Sequence, residues 1–274
     1  MSYKILVGRS PGDRELFGDK ATVYLGKLYV KMGEVTSLSN EVYMDVARTH
    51  VVMIAGKRGS GKSTTMGVMA EEMSRLPAEV KENISVLFFD TMGIFWTMKY
   101  PNLRQEELLG KWGLTPETFD VRVLTPAGFH QAYLDAGIPS DAPFTLTVSD
   151  LNASDWCEVF GEKPTSPMGI ALERAISIVG EQKKVYSLHD LVASVRQDQK
   201  TPRDVQDALE GRFFAAERWG LFSERGTSLD EIMKPGGVTV IDISSYTNVS
   251  GNWSIKGLVI GMVCRKLMEE RMKA

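Results

Sequence analysis

Short apolar runs and longer helical patterns alternate along the chain. Continuous apolar runs end in a glycine or an acid at three places, 51–55, 84–90 and 236–242, and a shorter run covers 119–124. Runs of this length bounded by turn residues are typical of strands buried in a parallel sheet. A helical pattern begins just after residue 63, between the first two runs. The order of strand, helix and strand therefore predicts an α/β fold with a parallel sheet.

The first 45 residues have a different pattern. Short, partly polar strands are predicted at 3–7, 21–25, 27–31 and 41–46, with Gly26 between the second and third. They form either a small β unit, such as a small barrel packed on the main domain, or the irregular first edge of the main sheet. We predict a small N-terminal β unit over 1–45 and a second domain over 46–274.

Helical periodicity dominates the stretch from about 150 to 234. Amphipathic segments follow one another there. Ser154 and Ser187 are candidate N-caps, because a serine side chain can accept a hydrogen bond from a free N–H group in the first turn of a helix. So much helix between two strands predicts a helical insertion in the α/β domain. A last helix is expected from about 254 to 273.

The most specific motif follows the run 51–55. It fits the phosphate-binding pattern G-x-x-x-x-G-K-[ST], and its predicted nucleotide-binding residues are Gly56, Lys57, Arg58, Gly59, Ser60, Gly61, Lys62, Ser63 and Thr64. The motif requires a strand before it and a helix after it, and the pattern predicts both. A plain glycine-rich turn between strand and helix is the alternative.

Each position of the motif has a chemical reason. Gly56 and Gly61 allow successive N–H groups to point at phosphate oxygens, and the start of the following helix adds its positive end. Lys62 is expected between the β- and γ-phosphates of ATP, Ser63 on Mg²⁺, and Thr64 near the α- or β-phosphate. Asp90 ends the run 84–90, where ligands bind in parallel sheets, and is a further possible Mg²⁺ ligand.

Composition excludes several classes of protein. The 274 residues are 43% hydrophobic and 24% charged, which suits a globular core, and the net charge of -3 gives no basic footprint for nucleic acid. Cys157 and Cys264 lie far apart and are expected to be reduced core thiols. With no signal peptide and no membrane span predicted, the chain is expected to be cytoplasmic with no membrane partner.

Two aromatic stretches allow alternative interpretations. The stretch 91–99 is either a loop packed against the sheet or a surface for base stacking or subunit contact. The helix from Pro202 interleaves arginines with Phe213, Phe214 and Trp219. We interpret it as an amphipathic helix with a solvated charged side, in preference to a DNA-binding helix. The three histidines, at 50, 130 and 189, indicate no triad or metal site.

Hydrolysis is less well supported than binding. A phosphate-loop ATPase usually needs a second strand that ends in an acid, which holds Mg²⁺, and a neighbouring glutamate that activates the attacking water. Asp90 and Asp242 end strands, but threonine and isoleucine follow them. The alternatives are a nucleotide-binding regulatory or scaffold module that does not hydrolyse ATP and, with less support, a small-molecule kinase.

The sequence resembles the HerA-like family of archaeal and bacterial ATPases, hexameric DNA translocases related to FtsK. The likeness is carried by the segments 24–27, 50–63, 89–96, 212–220 and 236–244. The resemblance implies a RecA-like motor behind a small β domain. In that family the motor hydrolyses ATP, moves double-stranded DNA through a homo-oligomeric ring and often works beside a NurA-type nuclease.

By the family pattern Lys62, Ser63 and Thr64 bind phosphate and Mg²⁺. The family's Asp-Glu strand (Walker B), sensor residue and arginine finger would lie beyond Ala274, so the chain is expected to be C-terminally incomplete. No catalytic glutamate is assigned. The isolated chain is expected to bind ATP and to hydrolyse it slowly or not at all.

Overall fold

The computed structural model describes residues 3–33, 35–249 and 251–273. Its strands are β1 Ile5–Val7, β2 Thr22–Met32, β3 Val35–Asp45, β4 Val86–Asp90, β5 Val121–Pro126, β6 Ala142–Phe144 and β7 Val238–Asp242. Its helices are α1 Pro11–Phe17, α2 Lys62–Ser74, α3 Ala78–Lys81, α4 Glu106–Lys111, α5 Ala127–Asp135, α6 Ala153–Phe160, α7 Pro167–Gln182, α8 Leu188–Gln197, α9 Arg203–Glu217, α10 Leu229–Ile232 and α11 Asn252–Lys273. Short 3₁₀ turns cover Phe95–Lys99, Leu103–Gln105, Val148–Asp150 and Ser244–Asn248.

The chain divides into two compact units. Unit one comprises residues 1–86, 97–121 and 233–238, and unit two comprises 87–96, 122–232 and 239–274. This division differs from a simple split of the sequence into two consecutive parts. The boundary between residues 45 and 46 stays a prediction.

Unit one contains a three-stranded sheet in the order β1-β3-β2. β1 is parallel to β3, with Ile5 opposite Val42, and β2 is antiparallel to β3, with Thr22 opposite Asp45. The N-terminal strands thus form a sheet of their own and are not an edge of the main sheet. The predicted break at Gly26 is wrong, because β2 continues through it and the register shifts there by a bulge.

The strand predicted at 51–55 is also wrong. No strand is assigned to this segment within the described residues, and Val51 and Met53 are 98% and 88% exposed. An apolar run becomes a strand only where a neighbouring strand supplies backbone partners. Helix α2, which follows the loop, is present as predicted and packs against β2.

Unit two is built on a four-stranded parallel sheet in the order β4-β7-β5-β6. All five residues of β7 are buried, as expected for a strand between two others. The predicted runs at 84–90, 119–124 and 236–242 are confirmed as β4, β5 and β7. The α/β fold with a parallel sheet, many helices and a small N-terminal sheet is therefore the observed fold class.

The helices from α6 to α10 occupy the chain between β6 and β7, where the helical insertion was predicted. Two of them, α6 and α9, meet in an aromatic cluster in which the Trp156 ring centroid lies 5.3 Å from those of Phe160 and Phe213. The amphipathic interpretation of α9 agrees with this packing. Phe213 is buried, and the Arg212 guanidinium donates to the Phe160 carbonyl at its side.

Capping interactions fix two helix starts. Ser187 caps α8 as predicted, and its side chain and that of Asp190 exchange hydrogen bonds with each other's backbone N–H groups. The cap predicted at Ser154 is wrong. Asn152 caps α6, because its side chain accepts from the Asp155 N–H at 3.0 Å while Asp155 accepts from the Asn152 N–H at 2.8 Å.

Two further expectations from composition can be compared with the structure. Cys157 is buried as expected, whereas Cys264 is exposed and is not a core thiol. None of the helices in the described residues has the length and apolar content that a bilayer crossing requires.

Candidate functional site

The predicted phosphate loop lies in unit one as an exposed turn that leads directly into α2. Gly59 and Gly61 have φ angles of 79° and 86°, in the left-handed region that side-chain-bearing residues rarely adopt. The Ser60 N–H donates to the Lys57 carbonyl at 3.2 Å and closes the turn. The chain therefore reverses direction between residues 57 and 61 and enters the helix at Lys62.

The Lys62 side chain folds back over the loop. Its ammonium donates to the carbonyl oxygens of Gly56, at 2.8 Å, and Lys57, at 2.9 Å. An ammonium has three protons, so two are used by the loop backbone. The motif assigns both this lysine and the N–H groups of the turn to phosphate. In the structure the lysine ammonium lies over that turn.

The first turn of α2 supplies donors to the same place. Gly61 is the N-cap, and its carbonyl accepts from the Thr65 N–H at 2.9 Å, which begins the hydrogen-bond ladder of the helix. The N–H groups of Lys62, Ser63 and Thr64 precede that ladder, as the first N–H groups of any helix do. Ser63 and Thr64 are both exposed.

Gly56 is fixed by a close approach across the loop. A Cβ built on Gly56 would overlap Ser60 Oγ and would lie 3.9 Å from Lys62 Cγ. A side chain at position 56 would therefore displace the Ser60 side chain and press on its Cβ, 3.3 Å away, whereas its distance from Lys62 is an ordinary van der Waals contact. This contact explains why the motif has glycine at its first position.

The loop is strongly cationic. Lys57, Arg58 and Lys62 lie within six residues, and no acid occurs between residues 56 and 70. Free helix N–H groups, the positive end of a 13-residue helix and three cations together favour a polyanion such as a triphosphate. An exposed serine hydroxyl in the first turn is the type of ligand that Mg²⁺ accepts beside phosphate oxygens, so Ser63 fits that role.

Asp90 lies in unit two, at the carboxyl end of β4, and it is 1% exposed. Its Oδ1 accepts from the N–H groups of Met92 and Gly93, and its Oδ2 accepts from those of Ile94 and Phe95, all at 2.6–3.0 Å. Four backbone donors use the acceptor capacity of one carboxylate. Asp90 organises the turn after β4, and its role as a metal ligand stays a prediction.

Asp242 ends the neighbouring strand β7 and is fully buried. Its Oδ1 accepts from the Ser244 N–H at 2.9 Å and from the Tyr133 hydroxyl at 3.3 Å, while its Oδ2 has no partner in the described residues. Burial raises the pKa of the Asp242 carboxyl above its ordinary value, and the charge of nearby Asp90 adds to the shift.

Sequence reasoning found the acid at position 242 but not its surroundings. Tyr133 comes from α5, 109 residues away along the chain, and only the fold brings it to the end of β7. The Ser-Ser pair directly after Ile243 was the one local sign of a polar site. Within the described residues, no group of three or more His, Cys, Asp or Glu side chains has the geometry of a metal site.

The glycine-bearing loop that enters a helix and the parallel sheet with its helices are consistent with a phosphate-loop α/β core. The chain belongs to the family described as helicase HerA, central domain, whose model matches residues 24–265. The match covers the loop, α2 and all strands of the parallel sheet. A comparison with curated proteins found no match.

Proposed function

We propose that this chain is the ATP-binding motor domain of a HerA-like DNA translocase. The family match supports an ATPase motor of the HerA and FtsK type. The observation that carries the proposal is the geometry at the start of α2, where the Lys62 ammonium and the free N–H groups of the first turn lie over one exposed loop.

In this proposal the loop 56–61 holds the phosphates of ATP. The N–H groups of the loop and of Lys62, Ser63 and Thr64 donate to phosphate oxygens, and the Lys62 ammonium exchanges its carbonyl partners for the β- and γ-phosphates. The Ser63 hydroxyl would hold Mg²⁺, which would supply positive charge to neutralise the phosphates. Lys57 and Arg58 add positive charge at the rim of the loop.

We propose further that this chain alone hydrolyses ATP slowly. Asp90 already accepts four backbone hydrogen bonds. Asp242 is fully buried, so its carboxylate is out of contact with solvent water. No glutamate follows either residue. These properties do not suit either carboxylate to activating an attacking water.

The partners proposed for the motor follow from the family. Membership of the HerA family suggests a DNA-associated oligomeric assembly. We propose that the motor moves double-stranded DNA and that its active form is a homo-oligomeric ring, a hexamer. A NurA-like nuclease is the proposed accessory protein, and the cytoplasm is the proposed location. The domain division into 1–45 and 46–274 belongs to the same proposal.

A second candidate function is a nucleotide-binding module that regulates or scaffolds an assembly without turnover. The Asp90 geometry favours it, because a carboxylate enclosed by four N–H groups is suited to holding a turn in place. The two functions share the loop and differ in whether DNA stimulates hydrolysis.

The test is steady-state ATP hydrolysis with and without double-stranded DNA. The proteins compared are the chain, Lys62→Ala and a matched control, Lys184→Ala, which removes an exposed lysine far from the loop in sequence. We expect slow hydrolysis by the chain and by the control, a modest increase on adding DNA, and none above background for Lys62→Ala.

DNA-independent binding without any turnover would favour the regulatory module. Hydrolysis that persists in Lys62→Ala would contradict the assignment of the loop as the nucleotide site. Rapid turnover by the isolated chain would contradict the proposal that Asp90 and Asp242 do not activate water.

A further inference from the structure

A buried ion pair joins the first residues of unit one to the end of its sheet. The side chains of Arg9 and Asp45 are both fully buried, and Arg9 Nε donates to Asp45 Oδ1 at 3.0 Å. Arg9 Nη2 also donates to Asp45 Oδ1, and the two terminal nitrogens donate to the carbonyl oxygens of Gly18, Lys20 and Ala21. A buried pair satisfied in this way is stable only as a complete network, so it fixes the carboxylate of Asp45 in one orientation.

The second oxygen of that carboxylate holds His50. The His50 Nε2–H donates to Asp45 Oδ2 at 2.8 Å. Although burial alone would raise the pKa of Asp45, its hydrogen bonds from His50 and Arg9 lower it, so the carboxylate is an anionic acceptor. The His50 ring also rests on Gly8, where a Cβ would approach the ring to 3.0 Å.

His50, held by its hydrogen bond to Asp45, directly precedes the segment that leads into the phosphate loop. The segment 51–55 has no strand pairing within the described residues and is largely exposed, and Gly56 follows it. On the other side of the loop, α2 packs against β2 of the same N-terminal sheet. Both ends of the loop are therefore anchored on one sheet, the entry through His50 and the exit through α2.

We propose that His50 is a positioning residue for the nucleotide loop, held by the Asp45 carboxylate that Arg9 orients. The inference rests on the proposed function, because it assigns the anchored loop to ATP. His50 does not touch the nucleotide in this proposal. It limits the conformations of the segment 51–55, so that the segment loses less conformational entropy when phosphate binds.

The experiment compares His50→Ala, His50→Gln and Lys4→Ala with the wild-type chain. Glutamine keeps an N–H donor for Asp45, whereas alanine removes it. Lys4→Ala is the matched control, because it breaks an exposed ion pair with Asp19, 3.1 Å long, in the same unit without touching the segment before the loop. The readouts are the Kd for ATP, the thermal midpoint, and hydrogen exchange of amides in 51–61.

For His50→Ala we expect ATP binding weakened about tenfold, the scale set by the loss of one charge-assisted hydrogen bond. Hydrogen exchange over 51–61 should become faster in this variant. His50→Gln should restore both properties to within about twofold of the wild type. Lys4→Ala should leave both unchanged.

Two results would overturn the inference. One is wild-type affinity and exchange in His50→Ala. The other is an equal loss of affinity in His50→Ala and Lys4→Ala that follows the thermal midpoint, which would mean a general loss of stability. If the wild-type chain itself binds no ATP, the proposed function fails, and the exchange of 51–61 still decides whether His50 positions the segment.

Discussion

The ammonium of Lys62 donates a 2.8 Å hydrogen bond to the carbonyl oxygen of Gly56, across the whole width of the phosphate loop. The first and seventh residues of the motif are thus linked directly. A ligand that binds in the loop must offer the ammonium a better acceptor than a neutral carbonyl. Phosphate oxygens do so, because their negative charge adds Coulombic attraction to the hydrogen bond that the ammonium donates.

The Gly56→Ala substitution should weaken ATP binding by about tenfold or more, the scale on which overpacking displaces a tightly packed group. The added Cβ overlaps Ser60 Oγ and lies 3.3 Å from Ser60 Cβ, so the Ser60 side chain and with it the turn have to move. Isothermal titration calorimetry with ATP measures the effect.

Gly67→Ala is the matched control for this substitution. Gly67 lies in α2, and a Cβ there meets nothing within 4 Å. Because alanine is the better helix former by about 1 kcal/mol, this variant should be slightly more stable and should bind ATP normally. Equal affinities for Gly56→Ala and Gly67→Ala would refute the steric explanation.

The Gly93→Ala substitution should destabilise unit two. Gly93 has φ of 68°, and a Cβ there would lie 2.6 Å from Ser244 Oγ and 3.5 Å from Asp242 Oδ2. The backbone strain and the overlap together should lower the free energy of unfolding by about 2–4 kcal/mol. Urea denaturation followed by far-UV circular dichroism measures the change.

Gly211→Ala serves as its control, because Gly211 lies in α9 with open space around a Cβ. It should be neutral or stabilising by up to about 1 kcal/mol. A Gly93→Ala protein as stable as Gly211→Ala would show that the turn after β4 can relax around the new methyl group.

Asp242→Asn should reduce the pH dependence of stability. The folded state raises the pKa of Asp242 above its unfolded value of 3.8, so the folded protein keeps a proton that the unfolded chain releases. The contribution of Asp242 to the free energy of unfolding is fully present below pH 3.8, and it is lost as the pH rises through the pKa of Asp242 in the folded protein. The wild type should therefore lose stability relative to Asp242→Asn as the pH increases above about 4.

Urea denaturation of both proteins at several pH values between 4 and 8 tests this expectation. Asp135→Asn, which removes an exposed carboxylate on α5, is the control and should run parallel to the wild type. Parallel curves for Asp242→Asn and the wild type would contradict the expectation, because they would mean that folding does not raise the pKa of Asp242.

The sequence predicted the parts of the fold that depend on local pattern. The runs that became β4 and β7, the helix α2 and the Ser187 cap were all read from neighbouring residues, because apolar runs and capping residues act over a few positions. The phosphate loop was found for the same reason, since all of its proposed ligands lie within nine consecutive residues.

Failures arose where long-range partners decide the outcome. The segment 51–55 has the composition of a strand, but a strand also needs a neighbour along its whole length. The contact between Tyr133 and Asp242, and the pairing of Arg9 with Asp45, join residues far apart in sequence. His50 was assigned no role, although Asp45 is only five residues away, because the sequence does not show that the turn after β3 brings their side chains within hydrogen-bond distance.

The central claim is that the loop before α2 binds ATP through Lys62, and equilibrium binding of ATP with Mg²⁺ tests it most directly. Calorimetric titrations of the wild-type chain, Lys62→Ala and the control Lys184→Ala should show tight binding for the first and third. For Lys62→Ala we expect affinity weakened by about 100-fold or more, because the phosphates lose the ammonium that lies over the loop. Equal affinity of all three proteins for ATP would contradict the account.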